Sequence, residues 1–206
     1  MIHFISGLFG RADIWNPYLE IGDSRGYDLE NLPTDVTEED IVVGYSMGGR
    51  IATKLAIDLK FNIKRLILLS SHPGLEEQDK PNRKTWEDQI IHKMDTLGVD
   101  DFLKFWDTLE LFNNSQVNKN FPRELFKAHR NYFDSYRLSE QENYLPKMIE
   151  HKNKISFIYG KYDEKYSSIA KQPTKSSIRC IEVDSDHRVY LRPDSLLPIL
   201  KRELIL

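Results

Sequence analysis

Ser46 stands inside Gly44-Tyr45-Ser46-Met47-Gly48, with a further glycine at Gly49 and an apolar run, Ile41–Tyr45, leading into it. A serine hydroxyl is a poor base and a poor nucleophile at neutral pH. It does chemistry only beside an imidazole that takes its proton and an acid that orients the imidazole. Glycines on both sides imply a turn too tight for side chains, which would lift the serine from a strand end onto a helix start. In that strand–turn–helix setting the partners are expected in the order Ser, then Asp or Glu, then His. The chain supplies Asp163 in "YGKYDEKY" and His187 in "VDSDHRVY", each just beyond a strand-like run. Asp184 and Asp186 immediately precede His187 and read as turn residues of its own loop. An oxyanion pocket would use the N–H of Met47, the residue after the serine. Its second donor is expected from the loop "SGLFG", at Leu8.

Such a constellation must be positioned by strands that end at one edge. The strand-like runs are Ile2–Ser6, Ser24–Leu29, Ile41–Tyr45, Arg65–Ser70, Lys154–Tyr159 and Ile178–Val183. Most are apolar without alternation, as in strands covered on both faces of a parallel sheet. Helical patterns lie at Gly48–Leu59, near Ser167–Lys171 and at Ser195–Leu206. The alternation predicts an α/β fold: a mostly parallel sheet flanked by helices. Between Pro73 and Lys152 the rhythm breaks into amphipathic segments such as "DDFLKFWDTLELF" with no strand-like run. This predicts a helical cap over 73–152, inserted into a core made of 1–72 and 153–206. The connection from Leu29 to Ile41 is about a dozen residues, barely room for a crossover helix.

The bulk properties exclude several classes. Of 206 residues, 40% are hydrophobic and 30% charged, which fits a globular domain with a sizeable core. A net charge of −3 leaves no basic footprint for nucleic acid. No segment approaches the roughly 20 apolar residues that span a bilayer, and no leader sequence is expected at the N-terminus. The single cysteine, Cys180, permits no internal disulfide and fits a reducing, cytoplasmic compartment. The histidines at 72, 92, 129 and 151 show no metal-ligand spacing, no phosphate-loop motif occurs, and no cofactor is expected. Oligomeric state is not encoded in any pattern here.

"VGYSMGGRIA" followed by "LLSSHPGL" resembles the MenH family, the 2-succinyl-6-hydroxy-2,4-cyclohexadiene-1-carboxylate synthases of menaquinone biosynthesis. "FISGLFGRADIW" is similar to the family's oxyanion-loop segment with its following tryptophan, here Trp15, although Ser6 replaces the family's histidine. The resemblance implies a compact α/β-hydrolase fold with a helical cap. It also implies a lyase that expels pyruvate from an enolpyruvyl ether, with Ser46, served by His187 and Asp163, as the base. A substrate with three carboxylates calls for fixed guanidinium groups, which pair with carboxylate bidentately. The resemblance assigns this to Arg50, four residues after Ser46, and to Arg130 in the cap. A third cation falls on Lys84 by count, with Arg83 beside it. Tyr45 would add a hydroxyl near the reacting centre, and Trp106 and Phe112 match the family's aromatic pair. The short 29–41 connection implies loss of a helix the family carries.

Two other classes share the same serine motif. A small carboxylesterase or thioesterase, such as a pimeloyl-carrier-protein methyl esterase, would form an acyl-enzyme on Ser46. A binding protein that merely kept the fold would not need Ser46, Asp163 and His187 together.

Overall fold

Every residue of β3, Ile41–Tyr45, is buried, as a strand covered on both faces must be. The same holds for β1, Ile2–Ile5, and β4, Arg65–Leu69. In the computed structural model, which describes residues 1–112 and 121–205, these join β2 (Ser24–Tyr27), β5 (Ile155–Gly160) and β6 (Arg179–Val183). All pairings are parallel, in the order β2-β1-β3-β4-β5-β6. Tyr45 pairs with Leu69 and Gly160 with Val183, so β3, β5 and β6 all end at one edge of the sheet.

Helices α1 (Met47–Asp58), α6 (Glu164–Lys175) and α7 (Pro193–Ile205) flank the sheet. Between β4 and β5 come α2 (Lys80–Thr96), α3 (Val99–Asp107), α4 (Phe126–Ser135) and α5 (Leu145–Glu150). One sheet face packs Phe4, Tyr45 and Ile67 against Trp15, Tyr18, Tyr190 and Leu196. The other packs Val42, Leu66 and Phe157 against Ala52 and Ala56 of α1. A third cluster belongs to the cap, where Ile90, Met94, Phe102, Trp106, Phe126 and Phe133 close over Phe9, Met47 and Ile51.

Two features differ from expectation or refine it. Met148, Tyr144 and Leu145 pack with the sheet rather than with the cap cluster, so the chain rejoins the core before residue 152. The reason is apolar periodicity in a short helix, which buries Met148 beside Ile155 at the start of β5. The 28–40 connection holds no helix among the described residues and passes from β2 to β3 in turns and bends. The chain from β1 to β2 instead carries a 3-10 segment, Ala12–Ile21.

Candidate active site

The turn between β3 and α1 places Ser46 at φ 52°, ψ −113°, a conformation costly for a residue with a side chain. The neighbouring glycines explain how it is tolerated. A Cβ on Gly44 would strike the backbone of Gly48 and Gly49, and one on Gly48 would strike the carbonyls of Ile5 and Ser6. Helix α1 therefore starts pressed against β1 and β3. The Ser46 N–H donates to the Leu69 carbonyl at 2.8 Å, and its own carbonyl accepts from Gly49, Arg50 and Ser71. Backbone bonds thus fix the side chain's take-off direction.

Ser46 Oγ lies 3.1 Å from His187 Nε2, and His187 Nδ1 lies 2.6 Å from Asp163 Oδ2. Asp163 also caps α6, its Oδ1 accepting from the Tyr166 N–H at 3.1 Å. One buried carboxylate thereby anchors a helix and orients an imidazole. Burial lowers the His187 pKa below its ordinary value, and Asp163 opposes that shift only in part. The ring is consequently neutral at neutral pH, the state a proton acceptor needs. Gly160 lets the two loops meet: a Cβ there would collide with the carbonyls of Ser185 and Asp186. Asp186 itself accepts from the Arg188 N–H at 2.8 Å, which makes it a turn residue.

The cap reaches this centre directly. The His187 N–H donates to the Leu111 carbonyl at 3.2 Å, and the Phe112 ring meets the His187 ring at 5.6 Å. Tyr45 packs behind the imidazole, 5.5 Å from it and edge-on to Tyr190. Burial, chiefly, keeps it a neutral phenol. Met47 is the first residue of α1, so its N–H has no acceptor within the helix. Leu8 sits in the turn closed by Gly10 N–H to Gly7 carbonyl at 3.0 Å, and its N–H has no acceptor among the described residues. Ser6 accepts the buried Trp15 indole N–H at 2.9 Å and donates to the Arg11 carbonyl.

The cations divide sharply. Arg50 donates to the Tyr136 carbonyl at 2.7 Å and to Gln141 at 3.2 Å, both neutral acceptors, and no carboxylate pairs with it among the described residues. Burial brings its pKa down to about 10, so it remains a cation. Arg83 gives its Nε to buried Glu87 at 2.7 Å, which leaves its two terminal nitrogens without a partner among the described residues. Glu87 is in turn pinned by the N–H groups of Leu138 and Ser139 and by the Ser139 hydroxyl.

Three assignments from the resemblance need correction. Arg130 is gripped by Asp95 through two bonds of 2.9 Å and by Asp134 at 3.0 Å, on the outer side of α4. Two carboxylates already occupy its fork. Lys84 is exposed and lies 3.6 Å from Glu140, because α2 turns its neighbour Arg83 inward instead. Trp106 is cap core, ringed by Phe9, Phe102 and Phe133, and Phe112 stands between it and His187.

Several residues that the motifs did not flag lie at the centre. Tyr166 packs on His187 at 4.5 Å and feels both Arg50 and Arg83. His72, whose pKa burial and nearby Lys165, Arg83 and Arg50 push down to about 3, accepts from the Gly74 N–H at 3.0 Å. Arg188 reaches from beside His187 to Asp107 of the cap and lies 3.9 Å over the Phe112 ring. Position next to a catalytic motif was the available signal for Tyr166 and Arg188. None existed for His72.

A parallel sheet, a strained serine after β3, and an acid and histidine after β5 and β6 define the class: this is an α/β-hydrolase-fold protein. Comparison with known proteins narrows the likeness. No family model matches the chain. Over 142 residues it is 25% identical to the 2-succinyl-6-hydroxy-2,4-cyclohexadiene-1-carboxylate synthase of Enterobacter sp. (strain 638), covering 65% of this chain and 54% of that protein. A Bacillus subtilis relative that carries the same designation provisionally is 24% identical over 144 residues, covering 65% and 53%. The chain thus spans about half the length of these relatives. Among solved structures it is similar to MenH from S. aureus (TM-score 0.71, 22% identity, 98% of this chain and 93% of that one). It is also similar to an enol-lactonase from Burkholderia xenovorans (TM-score 0.64, 14% identity, 100% and 91%). The likeness to MenH enzymes seen in the motifs is therefore found over most of the chain. No helix among the described residues is long and apolar enough to cross a membrane.

Proposed function

We propose that the protein is a carbon–oxygen lyase of the MenH type, acting on a small, multiply anionic substrate. The substrate is 2-succinyl-5-enolpyruvyl-6-hydroxy-3-cyclohexene-1-carboxylate, and pyruvate is the leaving group. His187 Nε2 takes the Ser46 proton while Asp163 holds the imidazole by its other nitrogen. Ser46 Oγ then removes the ring proton beside the succinyl ketone. The electron pair moves through the ring double bond and breaks the bond to the enolpyruvyl oxygen. Charge that develops on the ketone oxygen meets the N–H groups of Met47 and Leu8. No cofactor enters.

The observation that carries this reading is Arg50 with Arg83. Both keep guanidinium N–H groups uncommitted among the described residues, and both act electrostatically on Tyr166, which itself packs on His187. A neutral ester gives two such cations nothing to bind, whereas carboxylates pair with them bidentately. The test is incubation with the enolpyruvyl precursor, following pyruvate release against hydrolysis of a neutral p-nitrophenyl ester. Rapid pyruvate release with slow ester hydrolysis is expected; the reverse would assign the protein to ester hydrolysis.

The second reading is a serine esterase, supported by the 3.1 Å Ser46–His187 contact, which suits acyl transfer equally well. A covalent Ser46 adduct of the physiological substrate, detected by intact mass, would favour it.

A further inference from the structure

A cavity of about 620 Å³ opens between cap and core, lined by Trp86 of α2, the segment Leu109–Leu111, and Tyr162–Lys165. It lies beside the centre just described, since Asp163 is in its wall and Leu111 is the residue bonded to the His187 N–H. Lys165 is the one cation among these lining residues. No carboxylate lies within ion-pair distance of it among the described residues, in contrast to Lys80, Arg83, Lys84 and Arg130 of the cap.

Lys165 also shares an aromatic neighbour with a second cation. Its Nζ lies 5.9 Å from the centre of the Trp86 ring, and the Arg83 guanidinium lies 4.3 Å from the same ring. Two positive groups thus lean on one indole, each with donors left over. Partial desolvation and the charge of Arg83 press the Lys165 pKa down to about 8, although the residue keeps contact with solvent, and Asp163 and Glu87 offset this only in part. Glu110 and Glu164 stand exposed at the rim. Arg130, one of the cations the resemblance placed in the cap, is taken up by Asp95 and Asp134.

We propose that Lys165 is a substrate-binding residue that holds a carboxylate arm of the ligand in this cavity, with Arg83 over the same Trp86 ring. The assignment rests on the reading of the substrate as multiply anionic. It makes α6, rather than α4, the source of the third positive contact. Because Lys165 follows Asp163 by two residues, the bound arm sits against the loop that orients His187.

The test is equilibrium binding of propane-1,2,3-tricarboxylate, with butyrate as the monoanionic control, to the wild type, Lys165→Met and Lys165→Arg. A charge-assisted contact of this kind predicts that Lys165→Met weakens tricarboxylate binding about ten-fold or more. Butyrate should change by less than about two-fold, and Lys165→Arg should retain most of the tricarboxylate affinity. Wild-type affinity should also fall between pH 7 and 9, a slope that Lys165→Met removes. Of the other groups facing Lys165, Tyr162 is shifted upward and Glu87, His72 and His187 downward, away from that range; the rest are the Arg83 guanidinium and the side chains of Glu110, Asp163 and Glu164. Equal tricarboxylate affinity in wild type and Lys165→Met overturns the proposal. Lys165-dependent binding in a protein that releases no pyruvate would uphold it and remove only the lyase chemistry. A wild type that binds tricarboxylate no better than butyrate would remove both.

Discussion

The serine turn and the cation face meet across His187 and are built by opposite means. The turn is made of backbone: glycine contacts, a strained φ and N–H to carbonyl bonds fix Ser46 between its own turn and the ends of β1 and β4. The cation face is made of side chains brought from afar. Arg83 is aimed by Glu87, which is pinned by Leu138 and Ser139, 51 and 52 residues on. Arg50 is held by Tyr136 and Gln141, 86 and 91 residues away. The lesson is that the serine is set by backbone geometry, whereas the cations are set by side chains packed from afar. Chemistry and specificity can therefore be damaged separately.

The largest effect is expected at the turn side. Ser46→Ala, His187→Ala and Asp163→Asn should each lower kcat by roughly 10³-fold or more, with double variants no worse than the worst single one. Asn at 163 keeps an oxygen to cap α6, so thermal unfolding should barely move. If activity instead survives Asp163→Asn and is lost in Asp186→Asn, the acid has been misassigned.

The cation side should show a selective loss. Arg50→Ala and Arg83→Ala should each cut kcat/KM for the anionic substrate by about ten- to a hundred-fold, since a hydrogen bond to a charged group contributes about 1.5–3 kcal/mol. Hydrolysis of a neutral ester should change little. Arg130→Ala is the internal control: its surface ion pairs contribute about 0–1 kcal/mol of stability, and kcat/KM should stay within about two-fold. A matching loss at Arg130 would return it to the site.

The pH dependence separates the regions more gently. As the proposed base, His187 has its pKa held below the ordinary value, so the acid limb of kcat/KM should lie below the ordinary histidine range. Stability has a different source. His72 and His129 are buried neutral, with pKa values lowered to about 3 and about 4. Unfolded, each binds a proton near pH 6.5, so the unfolded state gains protons first as pH falls. Their contribution is full above about pH 6.5 and is lost progressively toward the folded values. Melting temperature should decline from pH 7 to pH 4, and His72→Asn, which keeps an acceptor for the Gly74 N–H, should shallow that decline. An unchanged slope would detach His72 from it.

This contrast also decides what was legible in the chain. The strand runs, the glycine-flanked serine and the order Ser46, Asp163, His187 were readable because each is a local pattern tied to backbone geometry. Helix α6 was read as a short stretch near Ser167–Lys171 but runs Glu164–Lys175, because its start is set by the Asp163 cap rather than by apolar spacing. Among the cations, Arg50 lies on α1 with its backbone N–H on the Ser46 carbonyl, as its place four residues after Ser46 implies. Spacing could not tell Arg83 from Lys84, since a one-residue step on a helix turns a side chain by about 100°. Arg130 failed because its carboxylate partners, Asp95 and Asp134, lie 35 and 4 residues away, and only folding shows that both close on it. Lys165 carried no motif and became visible through the cavity it lines.

One brace has a consequence for how the molecule assembles. Phe9, beside Leu8 and at φ 57°, donates its N–H to His129 Nδ1 at 3.0 Å, across 120 residues of chain. The first loop of the protein therefore takes its final shape only when α4, near the far end of the cap, has docked. During synthesis the sheet's first strands can pair while that loop still lacks its partner. Competence of the active site is thus a late event in folding, tied to arrival of the cap, and a chain interrupted before residue 129 would present Ser46 without a finished pocket around it.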